Sequence, residues 1–194
     1  MILNDKQITE LCSGDQPMLD PFVPVLTRNI ELSEKKVISY GLSSFGYDVR
    51  LGYSFLMASP NQPKNHHLDP KNSEDFDWIP HHAAPDEQVA IPPGGFLLAE
   101  TIEYFNMPED VIGIVTGKST YARCGIIINV TPLEPGWRGY LTLEIHNASR
   151  HSVIIYPGEG IAQINFHRGE TPNVTYDSRA GKYQNQQGVT PPKI

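Results

Sequence analysis

Phe45, Tyr47, Val49, Leu51, Tyr53, Phe55 and Met57 fall on successive odd positions of the chain. A helix would scatter these side chains around its axis, whereas an extended strand turns every second side chain to the same face. The spacing therefore predicts a long half-buried strand, or two strands meeting near Gly52, with Asp48 and Arg50 on the opposite face. Shorter β-prone runs recur at 95–105, 111–116, 126–131, 139–147, 152–156 and 160–167, separated by turn signals such as Pro92-Pro93-Gly94-Gly95, Pro108-Glu109-Asp110 and Pro157-Gly158-Glu159-Gly160. Many short strands with little helix predict an all-β body, a distorted β-barrel or jelly-roll-like fold with a few short helices. One such helix is expected after Asn4, whose pairing with Gln7 resembles a capping box. Ile8, Leu11 and Cys12 share a face there, and Gly14 ends the helix. Residues 16–40, interrupted by prolines, are expected to be irregular. Ile91-Pro92-Pro93-Gly94-Gly95 faintly echoes Tyr156-Pro157-Gly158-Glu159-Gly160.

A length of 194 residues suits one domain, 1–194, and a composition of 39% hydrophobic and 19% charged residues is that of a globular chain. The net charge of −7, with no basic stripe, argues against nucleic acid as a partner. A polyanionic ligand would need locally clustered cations and a divalent metal. Cys12 and Cys124 form no CxxC pair and imply no disulfide framework. No apolar run reaches the length of a membrane span, so the expected location is the cytoplasm, without membrane attachment. Residues 59–88 are polar and hold His66-His67 and His81-His82. Adjacent residues of an extended chain point to opposite sides, so this stretch reads as a solvated insertion rather than a zinc site.

The cluster Gly117-Lys118-Ser119-Thr120-Tyr121-Ala122-Arg123-Cys124-Gly125 offers two cations, two hydroxyls and backbone amides at the start of a short helix. Such a set suits a polyphosphate. It is not a P-loop: three residues, not four, separate Gly113 from Gly117, and Gly125 ends the helix too soon. Downstream, Glu144 lies within the strand-like run Tyr140-Leu141-Thr142-Leu143-Glu144-Ile145. On a strand Tyr140, Thr142, Glu144 and His146 share one face and Leu141, Leu143 and Ile145 the other. Glu144 is thus expected to face a polar cleft, where partial burial would raise its pKa. The structural alternative is a buried salt bridge to Arg123 or Arg50. From residue 168 onward apolar periodicity stops. Taken alone, the polar tail around Arg179, Lys182 and Gln186 suits a disordered end as well as a segment that closes over a ligand.

Taken together, Ser44-Phe45-Gly46-Tyr47-Asp48-Val49-Arg50-Leu51-Gly52, Gly117-Lys118-Ser119-Thr120-Tyr121-Ala122-Arg123, Pro135-Gly136-Trp137, Leu143-Glu144-Ile145 and Lys182-Tyr183…Gln186-Gln187-Gly188 resemble the dCTP deaminases of the trimeric dUTPase superfamily. The resemblance implies the dUTPase fold, a homotrimer with active sites at subunit interfaces, and hydrolysis of dCTP to dUTP and ammonia. It also implies Mg2+ carried by the triphosphate, with no metal ligated by the protein alone, and dTTP as a feedback inhibitor. Zinc deaminases carry an H-x-E…P-C-x-x-C signature that this chain lacks, so the implied mechanism is zinc-independent. Glu144 would be the general acid and base, with Ser119 and Arg123 at the reacting centre. Lys118, Ser119, Thr120, Tyr121, Ala122 and Arg123 would surround the triphosphate, and Thr142, Leu143 and Glu144 would line the base pocket. Gln163, Tyr176, Lys182 and Gln186 would hold the nucleotide, with 168–194 acting as a lid. Glu134 occupies the position where dUTPases carry a water-activating Asp. This leaves open a bifunctional enzyme that cleaves dUTP onward to dUMP, or a nucleotide sensor on the same fold.

Overall fold

The computed structural model describes residues 1–30, 35–59, 67–72 and 76–193. The N-terminal helix α1 (Asp5–Leu11) begins as expected. The Asn4 side chain accepts from the Gln7 N–H at 3.1 Å, while Gln7 Oε1 accepts from the Asn4 N–H at 3.2 Å. Ile8 is buried, with Leu11 and Cys12 packed against the core, and burial pushes the Cys12 thiol up to about 12.

Strands follow in the order β1 (Leu19–Asp20), β2 (Thr27–Ile30), β3 (Lys35–Ser43), β4 (Gly46–Ala58), β5 (Trp78–His82), β6 (Val89–Ile91), β7 (Phe96–Asn106) and β8 (Val111–Gly117). The one-turn helix α2 (Ser119–Ala122) precedes β9 (Ile126–Asn129), β10 (Arg138–Asn147), β11 (Val153–Ile155) and β12 (Gly160–Arg168). The runs from 95 onward thus form strands nearly where their patterning puts them. Two expectations need correction. Residues 16–40 are not irregular throughout, because β2 pairs with β3 and β3 continues onto β4. Nor is 59–88 wholly a solvated insertion. Trp78–His82 forms a sheet strand against β4, with Trp78 and His81 partly buried while Ile79, Pro80 and His82 stay exposed. His66 lies outside the described residues. His81 and His82 do point apart, to Glu87 Oε1 at 2.8 Å and Ser54 Oγ at 3.3 Å respectively.

The long alternating segment is one continuous strand that changes partners. The first half of β4 lies between β3 and β12, and its second half between β5 and β7. The switch falls at Gly52, where the register with β7 slips between Leu51 and Phe55. A Cβ on Gly52 would stand 2.5 Å from Glu100 Cγ and 2.9 Å from the Glu100 carbonyl, so only glycine allows the two backbones to cross this closely. This crossing curls one sheet into a barrel-like body: β10 extends β7, β9 extends β10, and β8 extends β12. The core fills the curl, with Tyr47, Val49, Leu51 and Phe55 no more than 1% exposed. Phe45 departs from its alternation. It falls in the turn before β4 and is 51% exposed. The two echoed turn segments follow β6 and β11, which pair with each other to form a separate two-stranded sheet.

The face of β4 opposite the core is not simply solvated. Glu103, fully buried on β7, accepts from Arg50 Nε at 2.7 Å and from the Arg50 backbone N–H at 2.9 Å. Burial pushes the Glu103 carboxyl up, and the Arg50 guanidinium and N–H oppose that rise.

Candidate active site

Side chains of β10 alternate as its pattern requires. Leu141, Leu143, Ile145 and Asn147 are buried, while Thr142, Glu144 and His146 lie on the outer face. Glu144 pairs across the sheet with Leu98 on one side and Asn129 on the other. The outer face of these strands, the loop 130–137 and the C-terminal tail enclose a cavity of about 350 Å³. Glu144, Thr142, Glu134, Trp137, Tyr176 and Gln186 are among its lining residues. The loop is held by Leu133, which exchanges two backbone hydrogen bonds of 2.9 Å with Gly113 of β8. Trp137 packs into the core against Phe105, at 6.1 Å between ring centroids.

The tail is built onto this site rather than trailing away from it. Tyr176 donates its N–H to the Pro135 carbonyl at 2.9 Å, and Trp137 Nε1 donates to the Tyr183 carbonyl at 2.9 Å. Gln186 is buried. Its side-chain amide donates to the Tyr140 carbonyl at 2.8 Å and to the Thr142 hydroxyl, and its backbone carbonyl accepts from the Tyr140 N–H at 3.0 Å. Gly139 makes this approach feasible: a Cβ there would lie 2.8 Å from the Gln186 nitrogen, and its φ of +145° lies where other residues rarely go. Lys182 does not line the cavity. Its ammonium donates to the Lys193 carbonyl at 2.9 Å and lies over the Tyr183 ring. Arg179 pairs with Glu134 and packs over Tyr176.

Glu144 makes no ion pair among the described residues; Arg50 is committed to Glu103, and Arg123 donates to the Ser119 carbonyl at 2.9 Å. Within the chain the salt-bridge alternative therefore fails. Burial raises the Glu144 carboxyl to about 7, only partly offset by its own backbone N–H. A carboxyl poised there exchanges protons readily near neutral pH, which a general acid–base residue must do.

Within one chain the cradle stands apart from this cavity. Ser119, Thr120, Ala122 and Arg123 are exposed beside β9, and none of them lines the Glu144 cavity. Tyr121 lies in the core, where its hydroxyl accepts from the Tyr156 N–H at 3.2 Å. Its ring anchors α2 instead of facing the cradle. Leu143 likewise points into the core, beneath the cavity floor. Lys118 forms an ion pair with Asp48, both largely buried, and the second Asp48 oxygen, Oδ1, is buried with no hydrogen-bond partner. Gln163 lies level with Asp48 and Thr116 on neighbouring strands, so it belongs to the cradle side of the molecule. Sequence reasoning missed the Asp48–Lys118 pair and the aromatic wall Phe76, Trp78 and Phe96 of the Glu144 cavity. The period-two spacing of Phe76 and Trp78 was the available signal for the latter. No group of three His, Cys, Asp or Glu side chains among the described residues is placed to hold a metal ion.

The chain is similar to proteins already known. A family model described as dCTP deaminase-like matches residues 2–169, stopping where the tail begins. The dCTP deaminase of Erythrobacter litoralis is 48% identical over 195 residues, covering 100% of this chain and 99% of its own. That of Herpetosiphon aurantiacus is 47% identical over 179 residues, 91% of each chain. Among solved structures, the 2'-deoxycytidine 5'-triphosphate deaminase of Agrobacterium tumefaciens superposes with a TM-score of 0.59 at 18% identity. It matches 87% of this chain, which spans 48% of that longer one, and at this identity the likeness is one of fold. With the match running from ahead of α1 through α2 and Glu144 to the end of β12, the chain belongs to the dCTP deaminase-like family.

Proposed function

We propose that this protein hydrolyses dCTP to dUTP and ammonia without zinc, Glu144 carrying the protons. The observation that supports this most is an unpaired carboxyl, raised to about 7 by burial, in a cavity roomy enough for a pyrimidine. Ionised Glu144 takes a proton from the water attacking C4 and passes it to N3. It takes the second proton of that water and delivers it to the departing amine, so that C4–O forms, C4–N breaks and ammonia leaves. Thr142 and Gln186, hydrogen-bonded to each other, border the base, and Trp137 closes the loop side.

The exposed Ser119, Thr120 and Arg123 and the separate Glu144 cavity favour a homotrimer in which these residues of one subunit, with its Lys118, meet the next subunit's Glu144. Ser119 and Arg123 would then act at the reacting centre from across the interface. Mg2+ would arrive with the triphosphate and neutralise its charge. The unpartnered Asp48 Oδ1 beside Lys118 is a hard oxygen of the kind this cation accepts, directly or through its water. dTTP would compete for the same cradle as a feedback inhibitor, and the cytoplasm is the matching location. No helix among the described residues is long and apolar enough to cross a membrane. Against the bifunctional alternative stands the Arg179–Glu134 pair, which occupies the acid that onward cleavage of dUTP would need.

Purified protein treated with a zinc-selective chelator and supplied with Mg2+ and dCTP should yield dUTP and ammonia. No turnover, a requirement for added zinc, or dUMP as the main product would each refute part of this reading. The tail is proposed as the lid. Truncation after Gly169 removes no strand, so the sheet should keep its melting transition. Deamination should nevertheless fall by on the order of 10²-fold, because misplaced substrate loses that much. Undiminished turnover by the truncated chain would disprove the lid.

A further inference from the structure

One wall of the Glu144 cavity comes from the segment expected to be a solvated insertion. Trp78 of β5 pairs with Ala58 of β4; because Met57 pairs with Leu97, Ala58 lies level with Phe96 of β7. The small Ala58 lets the Trp78 ring lean across the sheet to Phe96, 6.1 Å between centroids at 45°, with Phe76 stacked on Trp78 at 5.9 Å and 11°. Phe96 stands two residues from Leu98, the register partner of Glu144, so the shelf occupies the next row of the same face. Its outer edge is open, Phe96 being 38% exposed, so these rings face the cavity instead of completing a sealed core.

We propose that the Phe76–Trp78–Phe96 shelf is the positioning wall of the base pocket: it excludes water from Glu144 and confines the pyrimidine against it. This rests on the assignment of Glu144 to the proton transfers. Large apolar rings remove hydration from whatever they flank, and a carboxylate deprived of water holds its proton more tightly. No charge performs this task. The groups that share the face include His146 and Thr142 on β10, Glu100 on β7, His82 on β5 (held at Ser54 two rows from Trp78), Asn129 on β9, and Glu134 on the loop, the last paired with Arg179. None is a free cation or a second acid in contact with Glu144, and burial is the leading cause of its raised pKa.

The test uses the full-length protein with Phe96→Ala and Trp78→Ala. The Glu144 titration is read by NMR of 13C-labelled glutamate, and kcat and KM for dCTP are followed from pH 5 to 9. The Glu144 midpoint and the acid limb of kcat should both move down by at least one pH unit. KM should rise by roughly tenfold, the cost of losing good apolar contacts. Phe96→Leu should restore both values. An unmoved midpoint in folded alanine variants would overturn the proposal and leave the rings a purely structural role. If the alanine variants fail to fold, Phe96→Thr, a β-prone residue at a partly exposed site, is read in their place by the same criterion. The NMR midpoint needs no turnover, so a protein that titrates as expected yet ignores dCTP would refute the assigned reaction and spare the shelf.

Discussion

Replacing Glu144 with glutamine should lower dCTP deamination by about 10²–10⁴-fold, the range lost with a general acid–base group, while dCTP binding survives. Glutamine preserves the shape and can still hydrogen-bond in the cavity, but it carries no transferable proton near neutrality. Single-turnover rates with measured dCTP affinity would separate the two effects. Near-normal turnover would end the assignment of Glu144. The same substitution should also change stability in a pH-dependent way. The folded carboxyl titrates at about 7 against an ordinary value of 4.5. The fold therefore favours the protonated form, and stability declines as pH rises from about 4.5 through about 7. Glu144→Gln escapes that decline. Its melting temperature should match the parent at pH 4.5 and exceed it above pH 7, by the equivalent of about 1–3 kcal/mol after screening by solvent in the open cavity.

Arg50→Ala should destabilise the fold by about 3–5 kcal/mol, because it strands the carboxylate of Glu103 without its guanidinium. Glu103 is fully buried and the Arg50 side chain is only 15% exposed, so water cannot replace the lost partner. For a chain of this size the melting temperature should drop by roughly 6–20 °C. The Arg50 backbone N–H still donates to Glu103 in the variant, and protonation of Glu103 relieves part of the cost at low pH. The deficit should therefore widen as pH increases. Arg50→Met combined with Glu103→Leu should recover most of the loss, since paired apolar replacements remove the buried charge altogether. A drop below 1 kcal/mol in the single variant would show that this pair contributes no more than a surface salt bridge.

These two groups divide what is local in this protein from what is not. The alternation of 45–57 and of 140–146 was legible because a strand's period of two belongs to the backbone itself, whatever packs against it. It placed Glu144 opposite Leu143 and Ile145 before any partner strand was known. The Asn4–Gln7 box and the turn signals were equally local, and α1 and the later strands formed close to them. Pairing was not legible. Asp48 and Arg50 looked equivalent on one strand face, yet one reaches Lys118 and the other Glu103, because β4 changes neighbours at Gly52. Trp78 read as part of a polar insertion, and only its register against Ala58 brings it to Phe96 beside Glu144. The cradle and the acid looked like one site along the chain, but α2 and the Glu144 cavity form on separate parts of the fold. The tail, without periodicity of its own, takes its path from groups already fixed on β10 and the loop before it. Residue type and spacing determine which backbone form is cheapest at each point, and hence the strands, the turns and the acid's outward face. Which side chains then meet depends on strand crossing and register across tens to more than a hundred residues, and that information resides in the closed sheet alone.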